Sequence, residues 1–459
     1  MSSLTAGLIL FGFAAPSACV GVGFAIGSMG LVLGPIICVI ATLASSIGAL
    51  YLHQITLAHP ECDTMIDLGK EVLGREGEIW GMIIQQGNFL LYLPVALLVS
   101  AQALQDSIDP THTYFDGCTD YWILVVSLIC FSTTQLRSLS NVTTLSFVSL
   151  FCVAGVVTLA LHLVLTTDGD SKRSAIFFGN PDMNEAISRT KGWANFALGV
   201  SVTSWSFAPS FLTVELSNSR IMKNPATFPT SIWIAATLNC AVFIAVGVAT
   251  ASHWGWDVMD PLMLGTSSQF GLFPSDTVLS QILNGLWFIS CLISYALDSV
   301  PLGRTCQRAW APDLNVDDFS FKTSLKYFII TLPTFIVAVF LALFTPSLFC
   351  MLAIATACTN PWCNYIFPAV CYHYHIKKNS NRITFQGIDD LEDDKREKLM
   401  GEIEEEKYVA PLSKAIWFVL TIGVLMFVIC ALAAIGKVGI ASLRGPMIVG
   451  CKGWIILDS

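Results

Sequence analysis

Charge is the scarcest property of this sequence. Only 12% of its 459 residues are Asp, Glu, Lys or Arg, about half the share of an ordinary soluble domain. A soluble fold of this length would need far more solvated surface. The scarcity excludes a nucleic-acid binder, a disordered chain and a typical cytosolic enzyme. No Asp, Glu, Lys or Arg precedes Glu61. Metal-binding cysteine spacing is also lacking. The 15 cysteines include no CxxC pair, and most, such as Cys38, Cys130, Cys152 and Cys240, stand in apolar stretches as small hydrophobes. Cys118 and Cys451 lie outside those stretches and can pair only if the fold brings them together. No Ser-His-Asp grouping, phosphate loop or metal cluster stands out, so the chain does not read as an enzyme and requires no cofactor.

What fills the sequence instead is apolar: 54% of residues. Stretches free of the four charged types run 1–60, 79–105, 121–136, 138–167, 192–214, 224–256, 277–297, 327–376 and 415–436. A bilayer core takes about 20 apolar residues per helix. The first and the 327–376 stretches each hold two spans, the latter divided at Thr345-Pro346-Ser347. The sum is an all-α, polytopic membrane protein of about 11 transmembrane helices. Residues 4–18 resemble a signal peptide, but no Lys or Arg precedes them and a second apolar run follows directly. With the N-terminus cytosolic, 17 of the 24 Lys and Arg fall on the inner side, as positive-inside orientation requires. The sequon Asn141-Val142-Thr143 then faces the cytosol. The segment 377–410 carries both signs densely and reads as a solvated cytosolic loop.

Two spans are interrupted by helix breakers. The first reads Ala14-Ala15-Pro16-Ser17-Ala18-Cys19-Val20-Gly21-Val22-Gly23. The sixth reads Ser204-Trp205-Ser206-Phe207-Ala208-Pro209-Ser210. Proline removes a backbone donor and frees a carbonyl one turn upstream. Unwound backbone is tolerated in a membrane only where it lines a cavity. The two interruptions lie five spans apart. An odd repeat length inverts the second set of five relative to the first, the pattern of inverted-repeat transporters. The alternative is that these residues mark helix packing or kinks.

Four further stretches carry a resemblance. They are Gly21 to Gly34, Met65-Ile66-Asp67-Leu68-Gly69 with Leu73-Gly74, Leu136-Arg137-Ser138-Leu139-Ser140 with Val148-Ser149, and Val214-Glu215-Leu216. In order, spacing and hydropathy they resemble the amino acid/auxin permeases of the amino acid–polyamine–organocation superfamily. The sequence departs from that family's pattern at Pro16, Gly23 and Ala208-Pro209. The resemblance implies a fold like that of the bacterial leucine transporter, five helices repeated inverted plus one. Residues 1–166 form the first repeat and 191–372 the second. A charged cytosolic loop (373–410), an eleventh helix (411–436) and a short extracytosolic tail (437–459) follow. The implied activity is secondary transport of amino acids by H⁺-coupled symport. Na⁺ coupling and a non-transporting amino acid sensor with the same fold stay open. The partners are then the substrate, the ion and the lipid bilayer, in the plasma membrane or a vacuolar or endolysosomal one. No nucleic acid is involved.

Within that scheme Ala18, Cys19, Val20 and Gly21 offer backbone groups to the substrate's carboxylate and amino groups, as a half-helix terminus favours. Ser206, Phe207, Ala208 and Ser210 do so from the sixth span, where Phe207 either covers the substrate or simply packs. Asn88 and Tyr92, one helical turn apart, either bind substrate or tie helices together. An acid within a span is a functional candidate. Glu215 either carries the coupling proton or pairs with Arg220 or Lys223. Asp298 either joins an ion site or pairs with Arg304 or Arg308. Ser290 and Ser294 share a face on which hydroxyls could ligate Na⁺ beside carbonyls of the first span. His53 and His162 read as packed or interfacial.

Overall fold

The computed structural model describes residues 2–19, 21–110, 114, 118–137, 139–166, 186–207, 210–217, 222, 224–254, 277–315, 318, 320–344, 348–385 and 413–443. Among these residues the regular elements are all helical. The first half runs through α1 (Ser3–Cys19), α2 (Val22–Met29), α3 (Leu33–Ala58), α4 (Met65–Leu73), α5 (Arg75–Ile108), α6 (Thr119–Thr134) and α7 (Leu139–Thr166). The second runs through α8 (Ala186–Ser206), α9 (Ser210–Ser217), α10 (Phe228–Trp254), α11 (Val278–Trp310), α12 (Phe321–Phe344), α13 (Leu348–Cys358) and α14 (Phe367–Phe385). Helix α15 (Ile416–Leu443) closes the bundle.

Seven helices are long and apolar enough to cross a membrane, namely α3, α5, α7, α10, α11, α12 and α15. The remaining spans expected from the sequence are those that length alone misses. Helix α6 has 16 residues. The other three are divided, as α1/α2, α8/α9 and α13/α14. The outward surface is apolar, with Leu128, Phe151, Trp417 and Ile435 all more than two-thirds exposed. Side chains of that kind suit hydrocarbon, whereas backbone polar groups must be satisfied inside each helix. The expected break at 345–347, the segments 167–185, 255–276 and 386–412, and Cys451 lie outside the described residues.

Close backbone approach organises the interior, as small residues permit in membrane bundles. A Cβ on Gly69 of α4 would lie 2.5 Å from the carbonyl oxygen of Gly77 of α5, so these helices touch backbone to backbone. Helix α4 starts from a capping box in which Thr64 accepts from the Asp67 amide and Asp67 accepts from the Thr64 amide. Arg308 of α11 reaches both Asp63 (3.7 Å) and Asp67 (3.6 Å). Lys378 of α14 lies 3.7 Å from Glu71. These partly exposed pairs pin α4 across one end of the bundle.

Candidate functional site

The first interruption falls between Cys19 and Val22, inside the stretch that holds Pro16, Gly21 and Gly23. Gly21 caps α2 at φ −139° and ψ 14°, and its carbonyl accepts from the Ala25 amide at 2.7 Å. The second falls after Ser206, where Phe207 forms a turn before α9 begins at Ser210. The two interrupted helices lie side by side. A Cβ on Gly21 would stand 2.8 Å from Cγ1 of Val202, and one on Gly199 would stand 3.1 Å from the carbonyl oxygen of Ala25. Glycine at both positions lets α2 and α8 meet at backbone range. Val20 and Ala208 lie outside the described residues, as do the side chains of Ala18, Cys19 and Ser210.

Carbonyls at the interruptions find partners on neighbouring helices. Pro16 has no amide for the Gly12 carbonyl one turn before it. Ser149 Oγ of α7 donates to that carbonyl oxygen at 2.9 Å. Ser294 Oγ of α11 donates to the next one, Phe13 O, at 3.4 Å. Ser290 Oγ lies 2.9 Å from Ser149 Oγ. Two hydroxyls from two helices therefore reach adjacent carbonyls of α1, and Ser290 joins them through Ser149. At the second interruption Ser45 Oγ of α3 donates to the Phe207 carbonyl oxygen. Ser206 turns away, its Oγ donating to Val202 O at 2.8 Å. The Phe207 ring packs against Phe243 of α10 at 5.5 Å between centroids, so in this conformation it is a packing residue.

Helix α5 faces this junction with Asn88 and Tyr92. The Tyr92 ring stacks on Trp205 of α8 at 3.9 Å and 10°, and lies 6.4 Å from Phe13 of α1. One turn away, Asn88 Oδ1 lies 2.7 Å from Thr359 Oγ1. Thr359 follows α13 directly, before the chain passes Pro361 and widens into a π-turn, Trp362–Ile366. Gly48 of α3 and Gly423 of α15 back this turn. A Cβ on the first would run into the Asn364 carbonyl oxygen, and one on the second would stand 2.8 Å from Tyr365 Cβ. Asn364 Nδ2 donates to Asn360 Oδ1, and Asn360 Nδ2 donates to Ser204 Oγ at 2.9 Å.

The two intramembrane acids sit in different surroundings. Glu215 of α9 accepts from Gln85 Nε2 of α5 at 3.4 Å, while its other oxygen has no hydrogen-bond partner among the described residues. Arg220 and Lys223, its expected partners, lie outside those residues. Asp298 is fully buried, and neither carboxylate oxygen has a hydrogen-bond partner among the described residues. The expected pairing with Arg308 is not formed, because Arg308 sits farther along α11 and engages Asp63 and Asp67 instead. Among the described residues no group of three or more His, Cys, Asp or Glu could hold a metal ion.

A family model described as transmembrane amino acid transporter protein matches residues 2–387. The chain belongs to that family. Solved structures similar to this transporter include a nucleobase-cation-symport-1 family transporter in a closed conformation with bromovinylhydantoin bound. Identity is 16% and the TM-score 0.52, over 96% of this chain and 92% of that one. A Na⁺-coupled sialic acid symporter, in a substrate-bound outward-open state, is 12% identical with TM-score 0.44, over 78% of each chain. The first likeness shows a shared fold. No curated protein gives a significant match. The chain is thus a multi-pass membrane transport protein and not an enzyme.

Of the residues singled out from the transporter's sequence, the structure gathers Gly21, Tyr92, Phe207, Ser290 and Ser294 around the two interruptions. Glu215 and Asp298 stand apart from the hydroxyl cluster in their recorded hydrogen bonds. Sequence reading missed Ser149, Ser45, Trp205, Thr359 and Asn364. The signal for Ser149 was Pro16 itself, since a carbonyl deprived of its amide requires a donor.

Proposed function

We propose that this protein is a secondary active amino acid transporter that works by H⁺-coupled symport. The observation that carries the reading is the direct contact of two interrupted helices, α1/α2 and α8/α9, five spans apart. Half-helix ends at such a junction present amides and carbonyls to the charged groups of a free amino acid. Eleven spans follow when each divided helix counts once: five from α1/α2 to α7, five from α8/α9 to α14, and α15. The two fives form inverted repeats and the N-terminus is cytosolic. Alternating access then rocks one group of helices about the junction. Glu215 carries the coupling proton, because it lies on the half-helix that would move and only one of its oxygens is engaged.

A second reading, Na⁺ coupling, is favoured by one observation: Ser149 and Ser294 bring hydroxyls to the carbonyls of Gly12 and Phe13, with Ser290 beside Ser149. Oxygen donors of that kind suit a hard cation. The deciding experiment is uptake of labelled amino acids by proteoliposomes with pH and Na⁺ gradients imposed separately. Accumulation under a pH gradient alone, lost in Glu215→Gln while exchange persists, is the expected result. Accumulation only under a Na⁺ gradient transfers coupling to the hydroxyl cluster. Binding without uptake under either gradient makes the protein a sensor.

A further inference from the structure

Between α5, α8 and the π-turn lies a buried cluster of neutral polar side chains. Asn88, Ser204, Asn360 and Asn364 are at most 1% exposed and Thr359 is 5% exposed. Buried amides are expected to satisfy their donors and acceptors. Asn360 does, through Ser204 and Asn364. Asn88 does not. Its Nδ2 has no partner among the described residues.

Turning the Asn88 amide over does not let Thr359 satisfy both of its polar atoms. Thr359 has a single hydroxyl hydrogen, and its Oγ1 lies within reach of both Asn88 Oδ1 (2.7 Å) and Ala355 O (2.9 Å). If that hydrogen goes to Asn88, the amide nitrogen is left over. If it goes to Ala355, Asn88 can donate to Thr359, and the amide oxygen is left over. Either way Thr359 matches only one of the two amide atoms of Asn88 in a buried site. That site adjoins the second interruption: Ser204 lies three residues before Phe207, and Tyr92, one turn from Asn88, stacks on Trp205.

We infer that Asn88, positioned by Thr359, forms the side-chain subsite of the transported amino acid and selects a neutral, hydrogen-bonding side chain, with a carboxamide the best match. The inference rests on the transporter reading above. An aliphatic side chain leaves the Asn88 amide unmatched. A charged one meets neutral partners, since none of the hydrogen bonds named here involves an ionised group. A carboxamide carries a donor and an acceptor together, and so satisfies whichever atom of Asn88 is left over. The rigid backing of the π-turn by Gly48 and Gly423 keeps Thr359 and Asn360 from following a substrate that does not fit.

The test uses the purified full-length protein and reads binding and transport separately. Binding is read as ligand-induced thermal stabilisation, and transport as competition for uptake in proteoliposomes, with glutamine, leucine, lysine and glutamate as probes. Glutamine is expected to bind most tightly. Asn88→Leu, nearly isosteric, is expected to weaken glutamine at least about tenfold and to leave leucine equal or stronger. Should Asn88→Leu fail to fold, Thr359→Val supplies the readout, weakening glutamine about fivefold with leucine within twofold. Leucine, lysine or glutamate preferred by the unaltered protein overturns the inference, as does an equal loss for all four probes in either variant. Stabilisation by none of the four also overturns it. Glutamine-selective binding without uptake keeps the subsite and sinks transport instead.

Discussion

At the residue scale the two buried acids that the sequence singled out sit in different surroundings. Glu215 is half engaged, held by Gln85 from 130 positions away in the chain. Among the described residues Asp298 has neither a hydrogen-bond partner nor a counterion, so replacing it breaks no observed pair. Removing one partner of a buried ion pair is strongly destabilising, whereas removing an uncompensated charge is not. Asp298→Asn is therefore expected to lower the unfolding free energy by no more than about 1 kcal/mol, or to raise it, read by thermal unfolding in detergent. A loss of several kcal/mol would instead reveal a partner for this carboxylate. The acids themselves were legible in the sequence, since their spans hold little else that ionises. Their surroundings were not. Sequence distance hides Gln85 from Glu215, and the nearest cations along the chain are poor guides when Arg308 prefers Asp63 and Asp67.

At the element scale the molecule turns on three divided helices. Pro16, Gly21 and Pro209 point to the stretches where α1 parts from α2 and α8 from α9, because missing amides and missing Cβ atoms act locally. The division after α13 is different in kind. Asn360-Pro361-Trp362 reads equally as kink or helix end, and nothing in the spacing announces a π-turn. Its hydrogen bonds reach Asn88 and Ser204, which are 271 and 156 residues away. Local rules do not carry that far. Contact between the divided helices depends on glycine, so Gly21→Val places new atoms against Val202. The expected cost is about 1–3 kcal/mol of stability from overpacking, together with loss of uptake. Val202→Ala in the same chain should restore both in part. Uptake unaffected by Gly21→Val would mean that α2 and α8 separate during transport farther than this structure shows.

At the scale of the whole molecule, scarcity of charge translates into architecture. Helices α5 and α11, at 34 and 33 residues, run about 50 Å at 1.5 Å per residue. That length exceeds a hydrocarbon core of about 30 Å, so each must tilt or extend past it. Lys70, Arg308 and Lys378 gather at the end where α4 lies, the cytosolic end in the orientation proposed above. An epitope placed after Asp390 is accordingly expected to be inaccessible from outside intact cells, and a cysteine-reactive probe on Tyr114→Cys to be accessible. The opposite labelling would invert the topology. Membrane character and helical class were open to reading from composition alone. The number of spans was harder, because seven helices meet a criterion of continuous length and the other four expected from the sequence fall on short or divided helices.

The serines beside α1 also have a direction. A hydroxyl carries one hydrogen, and Ser149 directs its own to Gly12 O. The contact between Ser149 and Ser290 must then run with Ser290 as donor. The result is a one-way relay, from α11 through α7 to α1. Its members are consequently not equivalent under substitution. Ser149→Ala strands both the Ser290 hydrogen and the Gly12 carbonyl, whereas Ser290→Ala strands only a lone pair on Ser149. Thermal unfolding should show the first change costing about 1–3 kcal/mol and the second under about 1 kcal/mol, although the two alanines delete the same atom. Equal costs would mean the relay runs the other way, or not at all.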